Sequence, residues 1–152
     1  MAFLPRFLLL STAVCFAGCG APSAGSANLG SIRKVFVTDT QRSGVVEADA
    51  LADAVHDAAA RELGRLGFVA TATPSEAQAI LRSSWRVNKA DDGRVSVALS
   101  ISLFDLSGHR LLTTDSGTAL SINFWNESSA RRAVEQALVR LPPPPAPPSA
   151  QK

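Results

Sequence analysis

The chain of 152 residues is 46% hydrophobic, 18% charged and 6% aromatic, a size that holds one domain with tails and excludes a large multidomain enzyme. Fifteen basic and thirteen acidic residues leave a net charge of +2, and Lys and Arg are scattered, so the basic stripe of a nucleic-acid binder is not expected. The apolar fraction is too high for a mostly disordered chain.

Residues 1–20 (MAFLPRFLLLSTAVCFAGCG) place one arginine, Arg6, before an apolar stretch over residues 7–17. That stretch is shorter than the roughly 20 residues a membrane-spanning helix needs. A short positive start, an apolar middle and a small-residue end describe a secretory signal peptide. Residues 21–30 (APSAGSANLG) are small and polar, the composition of a flexible tether.

One domain is expected over residues 31–141. Residues 33–39 are β-branched and short, which suits a strand. Over residues 46–66 the spacing becomes helical, with Leu51, Val55, Ala59, Leu63 and Leu66 on one stripe. Gly67 stands where a left-handed cap ends such a helix, and residues 68–71 restart as a strand parallel to the first.

After Pro74 the period is two. Ala79, Leu81, Ser83, Trp85 and Val87 alternate with Ile80, Arg82, Ser84 and Arg86, and Asp91-Asp92-Gly93 marks a hairpin turn. Val95, Val97, Leu99, Ile101 and Leu103 give the cleanest apolar alternation, with Ser96, Ala98, Ser100 and Ser102 on the other face. Ser107-Gly108 turns the chain into a third long strand over residues 111–120. A last helix carries Ala130, Val134, Ala137, Leu138 and Leu141 on one stripe, with Asn126, Ser128 and Ser129 offering caps. The fold class is therefore α+β: a two-layer β-α-β-β-β-α domain, its mixed sheet bearing two helices on one face. Residues 142–152 hold six of the nine prolines and read as a disordered, solvated tail.

Few residues suggest chemistry. Asp49, Asp53, His56 and Asp57 share a helix face; they suit a divalent cation, or simply the charged face of an amphipathic helix with Arg61 pairing to Asp57. His109 with Ser107 and Asp105 lies within one turn, too local for a nucleophilic triad. No phosphate loop, zinc spacing or dinucleotide fingerprint occurs, so no cofactor, metal or catalytic residue is assigned. Phe124 and Trp125 form a candidate partner-binding pair, with Phe124 packing on the helix start as the structural alternative. Trp85 either fills the core or joins such a surface. Arg82 and Arg86, with Arg94, are placed opposite Trp85, where they suit anionic phosphates or ordinary solvation.

Two resemblances sharpen this. Phe16-Ala17-Gly18-Cys19 resembles a bacterial lipobox, which implies cleavage before Cys19, residues 1–18 being its signal peptide, and a diacylglycerol thioether on its sulfur. A third acyl chain on the new amino terminus is also implied, and Gly20 in place of Asp implies sorting to the outer membrane. An ordinary signal peptide cut nearby is the alternative. Buried methylenes contribute about 0.8 kcal/mol each, so several chains anchor stably. Cleavage leaves Cys19 without Cys15 and hence without an intramolecular disulfide.

The domain resembles the module shared by the amino-terminal part of TolB and the curli-secretion lipoprotein CsgG. The resemblance rests on Leu63-Gly64-Arg65-Leu66-Gly67-Phe68, Ala77-Gln78-Ala79-Ile80-Leu81-Arg82-Ser83 and Leu103-Phe104-Asp105-Leu106-Ser107-Gly108. A second resemblance, in element order and amino-terminal lipid, is to the lipopolysaccharide-assembly lipoprotein LptE. Both imply a non-catalytic scaffold on the periplasmic face of the outer membrane. Its expected partners are the membrane, through the lipid on Cys19, and another envelope protein. Lipopolysaccharide is the alternative partner, in a transport accessory. A small metal-dependent or hydrolytic periplasmic enzyme is the remote alternative.

Overall fold

A computed structural model of the protein describes residues 29–146. Residues 1–28, which include the expected signal peptide, Cys19 and most of the expected tether, and residues 147–152 of the expected tail lie outside the described residues.

After a tight turn at Leu29–Ser31 come β1 (Lys34–Val37), α1 (Val46–Asp49), α2 (Ala52–Arg65) and β2 (Val69–Thr71). β3 (Ala79–Lys89), β4 (Val95–Asp105), β5 (Arg110–Asp115), β6 (Leu120–Ser121) and α3 (Glu127–Leu138) complete the domain. The sheet runs β2-β1-β3-β4-β5, and β6 joins β4 on the edge that β5 also uses. β1 is parallel to β2 and β3, as the helical crossover requires, and the other pairs are antiparallel. The α+β reading holds: a mixed sheet under two main helices.

The expected stripes build the core. Val55, Ala59 and Leu63 of α2 and Ala130, Val134, Ala137 and Leu138 of α3 are buried against Val35, Leu81, Trp85, Val97, Leu99, Ile101 and Leu103 of the sheet. Gly67 has φ +91°, and Phe68 N–H bonds the Leu63 carbonyl across it at 2.9 Å, the cap expected there.

Three local expectations change. The single helix over residues 46–66 is two, because the Leu51 N–H bonds Ala48 at i→i+3 and Leu51 itself leaves the helical well (φ −100°, ψ 9°). The Asp49 carboxylate meanwhile holds α1 to its own entry loop, accepting Ser43 and Gly44 N–H at 2.9 and 3.0 Å.

The third long strand over 111–120 is also divided. Ser116 still bonds Leu99, accepting its N–H through Oγ at 3.1 Å and donating its own N–H to the carbonyl at 2.9 Å. Asp115 Oδ1 then accepts the Gly117 N–H at 2.9 Å, and Gly117 turns outward with φ +81° before β6 returns to β4. Finally, of the tail expected from residue 142, Pro144 and Pro145 are half-buried, and a Cβ at Gly67 would meet Pro144 Cγ at 3.3 Å.

Ala98 departs from its neighbours on the outer face, being fully buried opposite Arg86. Glu62 is a buried carboxylate that the helical stripe does not reveal; Arg65 Nε bonds it at 2.7 Å, and that bond holds the guanidinium pKa above its ordinary value.

Truncation should separate two kinds of inward residue. Leu99→Ala is expected to cost about 2–5 kcal/mol in chemical denaturation, through lost burial and a cavity. Ser83 is equally buried, but its hydroxyl has no partner among the described residues. Ser83→Ala should therefore leave stability unchanged or raise it by about 1 kcal/mol.

Candidate functional site

The two pairs of candidate residues stand on opposite sides of the sheet. Odd positions of β3 face the helices and even positions face away, so Trp85 enters the core while Arg82 and Arg86 are exposed outside.

On that outer face neither arginine stands alone. Arg86 Nη1 lies 3.4 Å from the Asp115 carboxylate. The Arg82 guanidinium sits 4.8 Å from the Phe104 ring centroid, and Arg110 reaches the same ring at 5.8 Å. A bulge between Leu103 and Phe104 produces this stack: Leu103 pairs with Leu112 but Phe104 with Arg110, so Leu111 is the extra residue. Arg94 is corrected. It precedes β4 in the hairpin, away from the Arg82–Arg86 row, and Nε pairs with Asp92 at 2.6 Å.

Phe124 and Trp125 are consecutive, Phe124 ending a tight turn over Ile122–Phe124 and Trp125 following it in extended backbone. Phe124 is 69% exposed, so it does not pack on the helix start. Trp125 is the one that turns inward: it precedes the cap residue Asn126 and packs edge-to-face on Trp85, with centroids 5.3 Å apart and planes at 68°. Asn126 accepts the Ser129 N–H at 3.0 Å and Ser129 Oγ accepts the Asn126 N–H at 2.9 Å, a reciprocal box that fixes the start of α3. Both indole Nε1 atoms are buried without a hydrogen-bond partner among the described residues.

Trp125 also floors a cleft of about 490 Å³ between the β5–β6 connection and α3. Ser116, Gly117, Thr118 and Leu120 form one wall; Arg132, Gln136, Val139 and Arg140 form the other. No carboxylate lines it. Leu120 and Val139 are exposed apolar residues at its rim. Sequence reading found Trp125 but missed this cleft, since only the two-residue return of β6 brings Leu120 across from α3.

The remaining polar candidates are local. His56 Nε2 lies 3.3 Å from the Val37 carbonyl and Nδ1 3.5 Å from Asp57, which pairs with it and not with Arg61. Among the described residues no three potential ligands gather around a metal position. Asp105 closes the turn, accepting the His109 N–H at 2.8 Å and approaching Nδ1 at 3.3 Å. That backbone bond, with help from the His109 side chain, holds the Asp105 carboxyl below its ordinary pKa.

No family model matches the chain, and no curated protein matches it. Solved structures similar to it include the PelC dodecamer of Paraburkholderia phytofirmans, in two crystal forms. One is 19% identical with a TM-score of 0.49, covering 74% of this chain and 89% of that one. The other is 17% identical with a TM-score of 0.47, covering 73% and 87%. A DUF330 protein from Xanthomonas campestris is 14% identical with a TM-score of 0.40, covering 71% and 77%. These three give the TolB/CsgG and LptE resemblances no specific support.

Two measurements check the geometry. A double-mutant cycle of Trp85→Phe and Trp125→Phe should give a coupling of about 0.5–1.5 kcal/mol, the worth of an aromatic pair beyond its burial. Asp105 has a lowered folded-state pKa, so its contribution is present above its unfolded pKa and lost as pH falls through the folded value. Asp105→Asn should therefore lower the melting temperature at neutral pH, with the difference closing in acid.

Proposed function

We propose that this protein is a non-catalytic lipoprotein of the outer membrane, facing the periplasm, that docks to another envelope component. The observation that carries this reading is Phe16-Ala17-Gly18-Cys19, closing an apolar stretch and followed by a small, polar tether. The pattern suits acylation of Cys19, and several acyl chains hold a domain stably at a bilayer. The tether joins the domain at the turn before β1, while the Trp125 cleft opens between the β5–β6 connection and α3.

The domain itself supports docking more than lipopolysaccharide capture. Arg86 is paired with Asp115, and Arg82 is stacked on Phe104, so an incoming phosphate would compete with existing partners. The mixed apolar and cationic cleft at Trp125 is a more open offer to a partner.

Cys19→Ala tests the anchor. The variant should leave the outer-membrane fraction on a density gradient and lose the mass of its acyl groups. Unchanged fractionation, or a wild-type chain without fatty modification, refutes the reading.

A further inference from the structure

Arginine is the commonest cation of this domain, and six of its eleven arginines over residues 31–141 are already engaged. Arg65, Arg86, Arg94 and Arg131 pair with Glu62, Asp115, Asp92 and Glu127, and Arg82 and Arg110 share the Phe104 ring. The guanidinium groups of Arg33, Arg42, Arg61, Arg132 and Arg140 have neither kind of partner among the described residues, and of these five only Arg132 and Arg140 line the Trp125 cleft. The cleft thus combines two unspent charges, no carboxylate, and an apolar floor and rim.

Their spacing is informative. Arg132 and Gln136 stand one turn apart on α3, roughly 6 Å along a helix rising about 1.5 Å per residue, and Arg140 follows just past its end, where Val139 keeps helical dihedrals and bonds the Glu135 carbonyl. An extended strand brings alternate side chains to the same face about 6.6–6.8 Å apart. Two carboxylates four residues apart on a strand therefore match Arg132 and Arg140, and the residue midway between them lies near Gln136, in the cleft that Trp125 also lines. There Leu120 and Val139 favour an aliphatic side chain.

We infer that this cleft binds an extended acidic peptide segment of the form acid-x-aliphatic-x-acid, laid along α3. The inference rests on the docking role proposed above and names the chemistry of the partner. Charge complementarity carries it: each guanidinium offers a forked donor to a carboxylate, and the cleft holds no acid of its own to compete.

The test uses the full chain in a non-ionic detergent, so that it is independent of whether Cys19 carries lipid. The probe is the amidated peptide GDTLTDG, followed through the indole N–H signals of Trp85 and Trp125 in a nitrogen–proton correlation spectrum, with Trp85→Phe assigning them. GDTLTDG should shift the Trp125 signal saturably, while neutral GNTLTNG and the shifted-register GDTLDTG bind about tenfold more weakly. Arg132→Gln and Arg140→Gln should each weaken binding by about three- to tenfold, and Arg61→Gln, which removes the same charge from α2, should not.

Absence of any shift overturns the inference, as does equal binding of the neutral or shifted peptide. Equal loss in Arg61→Gln would reduce it to net charge and also overturn it. Displacement of the peptide by acidic phospholipid at lower concentration would assign the cleft to lipid instead. None of these outcomes bears on the Cys19 anchor, whose failure is read separately by fractionation.

Discussion

Val97, Leu99, Ile101 and Leu103 all point to one side of β4, because a strand repeats every two residues, and all four are buried. The rest of the domain is arranged around that row. β3 pairs along the whole of β4 on one edge, β5 and β6 divide the other edge, and α3 lies across the inner face. A slip of one residue would turn the entire row toward water, so the register of the sheet is strongly fixed here. Trp85 is set by the same register, directly opposite Leu99, and through Trp85 so is the seat of Trp125.

Covering only one face of the sheet leaves the other to polar and cationic residues, and the protein organises that face locally. The β5 bulge opposite Leu103 and Phe104 matters here because it changes which β5 residues look outward. Without the extra Leu111, Arg110 would not stand opposite Phe104. The outcome is a Phe104 ring approached by two guanidinium groups, at 4.8 and 5.8 Å, and a separate hydroxyl pair, Ser102 with Thr113 at 2.8 Å. Such a face is solvated and internally engaged, so an anion arriving at Arg82 or Arg86 would compete with Phe104 or Asp115.

Periodicity made the inner layer legible in the sequence, and it failed where partners, not faces, decide the structure. Leu81, Trp85, Leu99, Val55 and Val134 were readable because each repeats with its element's period. Gly67 was readable because a left-handed cap needs a residue without a Cβ. The break at Leu51 was not, since helical stripe residues continue across it and the deciding bonds are made by backbone and by Asp49. The division of β5 from β6 depends on Asp115 and Ser116 accepting particular N–H groups, which no alternation pattern records. Burial of Glu62 is equally tertiary. For the candidate site, the sequence marked Phe124 and Trp125 as a pair, yet only packing against Trp85 says which of the two turns inward.

Those same local departures create the cleft. Gly117 carries the chain out of the sheet, the two residues of β6 bring it back, and the Asn126–Ser129 box fixes where α3 begins above them. The helix then divides its polar residues by side. Glu127 and Arg131 satisfy one another at 3.2 Å, with Glu135 beside them; Arg132 stands at the edge between that acidic flank and the cleft, which Gln136 and Arg140 also line and no carboxylate does. An exposed helix that served only for solubility gains from pairing its charges throughout. This one pairs Arg131 with Glu127 and leaves Arg132, with Arg140 just beyond the helix, without a salt bridge in a cleft that also holds the exposed apolar residues Leu120 and Val139. A surface of that composition costs some solubility and self-repulsion in the isolated protein, and both are relieved when an acidic, partly apolar segment occupies it.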